Sequence, residues 1–319
     1  MVFGRKILNL VASSICFALC LSFAASAQGL EDDINFYASE SCGGRVCGTP
    51  GGALAAEYTA WRFGRIGLRP FGSSYMHRFD TNGRSATNVI GMVPAFGAAS
   101  ASRYVIMAAH FDNLAPVDER FYPGADSNAS GVAAMLGVAK QIVDASAGGK
   151  ILPYNIIFVA LDARQPDMAG AAELWRMLVA EDLTDPLSGR GVKAANIVLF
   201  VNLDTIGSTL APITAGRTDY LLMLGGSAQQ KALLKEKNLR DEAPLELGFD
   251  YYGNPGLTEM FYRRVSEQKI FLDHGVPAVM FTSGITDYTN RPEDTPDRLD
   301  FDVLLRRTLL ISRWLESVR

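Results

Sequence analysis

The chain has 319 residues, 48% of them hydrophobic and 20% charged, with a formal net charge of -4 at pH 7. Such a length and balance fit one large domain or two small ones around a sizeable apolar core. The mild acidity excludes the basic footprint of a nucleic-acid-binding protein.

The first residues read as a secretory leader. Arg5 and Lys6 make a basic start, a mostly apolar run follows from Ile7 to Ala24, and Ala25-Ser26-Ala27 offers a small-residue cleavage site before Gln28. This predicts a signal peptide over residues 1–27 and export to the periplasm or the extracellular space. A retained membrane anchor is the alternative, but no basic stop-transfer cluster follows the run. Leu19 before Cys20 is too bulky for a lipidation site. No later segment is apolar long enough to cross a bilayer, so no membrane span is expected once the leader is removed.

Cys42 and Cys47 stand in Ser-Cys-Gly-Gly-Arg-Val-Cys-Gly. Two cysteines five apart in an exported chain predict a small disulfide loop, with free thiols as the alternative. No second Cys/His pair completes a zinc knuckle.

From there, helical and strand patterns alternate. Leu54 to Ile66 has helical apolar spacing and a stop at Gly67. Strands are predicted over Asn88 to Val93, Arg103 to Ala109, Asn155 to Leu161, Asn196 to Leu203, Tyr220 to Leu224 and Val276 to Phe281. Helices are predicted over Ala129 to Val143, Gly170 to Val179, Ala228 to Lys237 and Asp302 to Val318. Near-continuous apolar strands between helices imply a sheet covered on both faces. The expectation is a single α/β domain over residues 28–319, with a mixed, mostly parallel central sheet and helices on both faces. Residues 240–270 are polar, aromatic and glycine-punctuated, like an insertion that covers a cleft.

Several strands run into polar residues. Val105 to Ala109 leads to His110-Phe111-Asp112, Phe158 to Leu161 leads to Asp162, and Val198 to Val201 leads to Asn202-Leu203-Asp204. Ligands of open α/β sheets bind outside such carboxyl ends. A histidine and two aspartates there suit a divalent metal such as zinc. Between them, Pro123-Gly124-Ala125-Asp126-Ser127-Asn128-Ala129-Ser130-Gly131 enters a helix; Asp126 could ligate a metal, with Asn128 or Ser130 capping the helix.

His-x-Asp, then Gly-Ala-Asp-x-Asn-Ala-Ser-Gly, then Asn-Leu-Asp, in that order, resembles the co-catalytic zinc exopeptidases. That group includes bacterial leucyl aminopeptidases, glutamate carboxypeptidases, glutaminyl cyclases and the transferrin receptor ectodomain. The resemblance extends from Gly44-Arg45 through Asn88-Val89-Ile90-Gly91 to Pro292-Glu293-Asp294-Thr295-Pro296-Asp297. It implies His110, Asp126 and Asp204 as ligands of one metal, Asp126 as the bridge to a second, and Asp112 as the carboxylate orienting His110.

Other positions depart from the pattern. Arg164 stands where the resemblance places the general base, and Gln165 and Asn290 where it places ligands of the second metal. A guanidinium accepts no proton, and an amide is a poor zinc ligand. At most one zinc ion is expected, and ordinary aminopeptidase turnover is not. Arg164 could pair with Asp126 and replace part of a metal's charge, point to solvent, or pair with Asp162 or Asp167 beside it. His77 and His274 are unsuited to replace the missing ligand, His274 being expected to end a helix. The leading expectation is a non-catalytic protein whose cleft takes a peptide or small-molecule ligand. Alternatives are a one-zinc hydrolase with Asp162 or Glu293 as base, and an interaction protein using a surface outside the cleft.

Overall fold

The computed structural model describes residues 27–95, 102–118, 120–165, 167–209 and 217–319. Apart from Ala27, the expected leader lies outside these residues. Among the described residues, no helix is long and apolar enough to cross a membrane.

A helix through residues 27–37 (α1) leads by a short 3-10 turn into α2 (Pro50–Ile66). Thr49 caps α2 by accepting the Gly52 N–H, Pro50 starts it, and left-handed Gly67 ends it where expected. The strands are β1 (Arg69–Pro70), β2 (Met76–Thr81), β3 (Arg84–Val93), β4 (Tyr104–His110), β5 (Asn155–Leu161), β6 (Ile197–Leu203), β7 (Tyr220–Gly225), β8 (Glu246–Gly248) and β9 (Ala278–Thr282). The later helices are α3 (Ser130–Ala147), α4 (Ala169–Val179), α5 (Ala228–Asn238), α6 (Pro255–Arg263), α7 (Gln268–Asp273) and α8 (Phe301–Leu315).

The strands form one sheet in the order β1-β3-β5-β4-β6-β9-β7-β8, with β2 also on β3. Its centre, β5-β4-β6-β9, is parallel, and antiparallel pairings join β3 to β5 and β7 to β9. Alternation along the central strands explains their unbroken apolar runs. Val105, Met107, Ala109, Ile156, Phe158 and Ala160 face a core shared with α2, α3 and α8. Tyr104, Ile106, Ala108, Ile157, Val159 and Leu161 face a second core under α4 and α7. Both faces are buried, so both residue sets must be apolar.

The carboxyl ends of β4, β5 and β6 lie side by side, which brings His110, Asp162 and Asp204 to one edge. Segment 240–270 forms β8 and α6 and leads into α7; Phe261 and Val265 from it line the cleft above that edge.

The expected Cys42–Cys47 disulfide is not formed; both cysteines are buried free thiols. Left-handed Gly43, Gly44 and Arg45 turn the chain between them and send the two side chains to different places. The Cys42 thiol donates to the Phe36 carbonyl at 3.3 Å, while Cys47 packs with Ala86 and Ala163. Arg45, fully buried, donates to the carbonyls of Tyr37, Phe111, Pro123 and Gly124 at 2.5–3.0 Å. It therefore fastens the start of the Pro123–Gly131 loop. Gly44 is needed beside it, since a Cβ there would lie 2.2 Å from the Leu114 carbonyl oxygen.

His274 ends α7 as expected, its ring stacked on Trp175 at 4.3 Å. His77 sits on β2, paired with Asn88, and does not line the cleft.

Candidate functional site

Two of these strand ends, those of β4 and β6, are tied together by Asn128. Its amide donates to the carbonyls of His110 (3.2 Å) and Leu203 (2.9 Å), and its oxygen accepts from Gly131 N (3.2 Å) and Thr205 N (3.0 Å). Asn128 is fully buried, so one side chain links β4, β6 and the start of α3. Asn128→Ala should destabilise the protein by about 2–4 kcal/mol, the cost of stranding buried polar groups. Urea unfolding reads this directly, and a loss under about 0.5 kcal/mol would contradict it.

Above this knot opens a cleft of about 570 Å³, part of it open to solvent. Of the residues expected in the site, His110, Asp112, Arg164, Gln165, Asp204 and Asn290 line it together. Asp126 does not. From the Pro123–Gly131 loop the cleft-lining side chain is Ser127, whose hydroxyl donates to Asn290 Oδ1 at 3.3 Å.

Asp126 turns the other way. It accepts from Gly207 N (2.7 Å), from Ser130 Oγ (3.0 Å) and from the Ser208 hydroxyl. Burial raises its carboxyl pKa against these hydrogen bonds. The backbone of the same loop is gripped by Asp294, which accepts from Asp126 N (2.8 Å) and Ser127 N (3.0 Å). That grip is the structural work of the Pro292–Asp297 segment, and it fixes which residue of the loop looks into the cleft. Asp126, expected as the bridge, thus faces away from the cleft, and Ser127 is the side chain of this loop that lines it with His110 and Asp204.

Arg164 also lies elsewhere than expected. It pairs with neither Asp126, Asp162 nor Asp167. Its Nη1 is 2.9 Å from His110 Nε2 and 3.0 Å from Asp204 Oδ2, and its Nη2 donates to the Val265 carbonyl at 2.7 Å. Its Nε is 3.8 Å from Glu267 Oε1. Burial disfavours the guanidinium charge, but Asp204, Glu267 and Asp112 outweigh it and hold the group protonated. Asp204 is likewise pushed up by burial and pulled down harder by Arg164 and His110, ending well below the usual carboxylate range. Ser266 orients this arrangement, its hydroxyl 2.6 Å from both Asp204 Oδ2 and Glu267 Oε2.

Asp112 orients His110 by its backbone. The Asp112 carbonyl is 3.0 Å from His110 Nδ1, while its carboxylate Oδ1 stands at 3.7 Å. The other carboxylate oxygen accepts from Arg164 N at 2.9 Å, fixing the turn after β5. Burial and the Arg164 charge push the His110 pKa down, but Glu267, Asp112 and Asp204 outweigh them and lift it to about 9. A guanidinium can only donate, so the 2.9 Å contact itself requires an unprotonated Nε2 with the ring proton on Nδ1. The hydrogen-bond geometry and the surrounding carboxylates thus pull the ring in opposite directions, the first toward the neutral Nδ1–H form and the second toward the imidazolium.

The resemblance in the sequence implies zinc, and the residues present do not fit it. The arginine guanidinium takes the space between His110 Nε2 and Asp204, and the third expected ligand, Asp126, faces away. Among the described residues no group of three or more His, Cys, Asp and Glu side chains could hold a metal. Neither alternative base serves. Asp162 spends its oxygens on Thr87 N (2.9 Å) and Ala163 N (2.7 Å), and Glu293 is exposed; neither lines the cleft.

Two carboxyls nearby carry a pH dependence. Burial and the charge of Asp112 raise Asp162 to about 7, and burial and Asp126 raise Asp294 to about 7. Each holds its proton in the folded state at pH values where the unfolded chain has lost it. The stability they contribute is complete below about pH 4 and falls as the pH rises through about 7. The groups held low, such as Asp204, act only at the acid end. Thermal melts should therefore show a lower Tm near pH 8 than near pH 5; a Tm that rises over this span would contradict the assignment.

Glu267 and Ser266 were not legible as site residues in the sequence. Their only signal is a polar Ser-Glu-Gln step before the apolar Ile270–Leu272 run at the edge of the expected insertion.

The sequence profile of peptidase family M28 matches residues 88–315. The alkaline phosphatase isozyme conversion protein of Escherichia coli (strain K12) is 28% identical over 177 residues, which are 51% of this chain and 47% of that relative. The chain thus spans about half the length of the curated relative it matches. Among solved structures, the LapA aminopeptidase of Legionella pneumophila superposes with a TM-score of 0.65 at 14% identity, over 92% of this chain and 73% of that one. A Zn-dependent exopeptidase from Parabacteroides distasonis superposes with a TM-score of 0.60 at 16% identity, over 92% of this chain and 98% of that one. At these identities the structures establish the fold alone, a single α/β domain of the zinc-exopeptidase type. With more than half of its length matched by the profile, the chain belongs to peptidase family M28.

Proposed function

We propose that this member of the family is an exported binding protein that does not hydrolyse peptides and holds a peptide or small ligand in the cleft. One observation carries the reading. Arg164, Gln165 and Asn290 line the cleft where the resemblance places a general base and metal ligands, and from the Pro123–Gly131 loop Ser127 rather than Asp126 faces in beside them. None of them accepts a proton from water at neutral pH, and none offers zinc a charged ligand. Removing a general base costs on the order of 10²–10⁴ in rate, before any metal contribution is counted. The cleft itself stays open and mixed in character: Leu114, Phe261, Val265, Met280 and Ile285 supply apolar walls beside the polar floor. Such a combination suits a ligand with an apolar side chain and a polar backbone. Export rests on the leader-like N-terminus and the Ala-Ser-Ala step.

The test is a panel of aminoacyl and peptide substrates, assayed on the purified protein with added zinc, alongside calorimetric binding of the same compounds. The reading predicts no turnover and saturable binding of a subset, weakened by Phe261→Ala. Robust turnover abolished by His110→Ala would overturn it. Binding untouched by cleft substitutions would move the partner to another surface.

A further inference from the structure

We propose that Arg164 is a built-in cation, a guanidinium that takes the place of the metal between His110 and Asp204 and makes the folded cleft independent of divalent ions. The inference rests on the family reading above, but not on the absence of turnover.

Four groups from three parts of the fold receive the guanidinium. His110 Nε2 at the end of β4 and Asp204 Oδ2 after β6 meet Nη1 at 2.9 and 3.0 Å. The Val265 carbonyl meets Nη2 at 2.7 Å, and Glu267 stands 3.8 Å from Nε. Glu267 is 1% exposed and Asp204 is 5% exposed. Two carboxylates buried this deeply require a cation, since an uncompensated buried charge is strongly destabilising. The Ser266 hydroxyl lies 2.6 Å from an oxygen of each but has one proton and donates to one of them at a time, so the pair still calls on the several N–H donors of the guanidinium. The imidazole lone pair that would otherwise coordinate a metal instead accepts an arginine N–H. Zinc could enter only by displacing the guanidinium and leaving Glu267 with neutral donors, Ser266 and Asn202, in place of a cation.

Thermal melts of the full chain with EDTA and with added zinc, on the parent, Arg164→Ala and Arg164→Lys, test this. The parent should melt at the same temperature in all three conditions. Arg164→Ala should melt lower and recover part of the loss with zinc, because His110 Nε2 and the Asp204 carboxylate are then uncovered. Arg164→Lys should fall between, retaining the charge without the fork. In the parent, ¹⁵N spectra should place the His110 proton on Nδ1 and leave Nε2 bare, a signature that a merely structural arginine would not impose. A parent whose Tm falls with EDTA or rises with zinc would overturn the proposal, as would a proton on Nε2. So would an Arg164→Ala variant that melts like the parent or responds to zinc no more than it does. Turnover in the substrate panel without a metal response here would overturn hydrolytic inertness alone.

Discussion

Arg164→Met should destabilise the protein by about 3 kcal/mol, within the range for breaking one side of a buried ion pair. Methionine keeps much of the volume of arginine and removes the charge. Asp204 and Glu267, at 5% and 1% exposure, would then face each other's field with the neutral donors Ser266 and Asn202 beside them in place of the guanidinium. The Val265 carbonyl would lose its donor, and so would His110 Nε2. Two substitutions separate this mechanism from simple loss of packing. Adding Glu267→Gln to Arg164→Met should return part of the loss, since it removes one of the two stranded charges. Glu267→Gln alone should be destabilising, because it takes a counter-charge from a retained guanidinium. Urea unfolding of the four proteins completes the cycle. A loss below about 0.5 kcal/mol for Arg164→Met would place Arg164 among ordinary surface residues.

The second large effect is a gain. Ser127→Asp, Arg164→Glu, Gln165→Glu and Asn290→His together should create a protein that retains zinc through desalting and hydrolyses aminoacyl substrates. The direction follows from where the side chains stand: all four line one cleft with His110 and Asp204. The rate should exceed the parent's by at least about 10²-fold, the lower range for restoring a general base. The informative control keeps Ser127 and makes only the other three substitutions. Asp126 cannot help that control, because its carboxylate is committed to Gly207, Ser130 and Ser208 behind the loop. The three-substitution protein should therefore bind zinc much more weakly than the four-substitution protein. Equal zinc retention by both would show that Asp126 can turn into the cleft, and would restore it as the bridging residue.

The contrast between Asp126 and Ser127 shows what the sequence can carry. The sheet was legible because burial on both faces forces continuous apolar runs, as in Val105–Ala109 and Ile156–Leu161. Strand ends were legible for the same reason: the first polar residues after such a run mark where the strand leaves the core, which located His110, Asp162 and the Asn202–Asp204 step. Within the Pro123–Gly131 loop no such periodicity exists. Which side chain faces the cleft depends on left-handed Gly124, on Asp294 gripping two successive amides, and on Arg45 holding the carbonyls at the loop's start. These contacts join residues far apart in the chain and leave no local pattern, so the aspartate drew the ligand assignment although its neighbour is the one that lines the cleft.

Charge partners were hidden for a related reason. Arg164 could be seen to replace a base, but its partners are fixed by tertiary geometry. Asp162, two residues away, spends its oxygens on backbone amides, while Glu267, 103 positions later, stands beside the guanidinium. The cysteines illustrate the same limit. Their spacing permits a loop, but three consecutive left-handed residues between them and separate packing partners decide against it.

On the proposal above, the guanidinium of Arg164 excludes the metal on which the family's chemistry depends. The decisive measurement is elemental analysis of the protein, purified without chelator, incubated with excess zinc and desalted. No stoichiometric zinc is expected. A full equivalent of zinc per chain, retained by the parent and lost in His110→Ala, would contradict it.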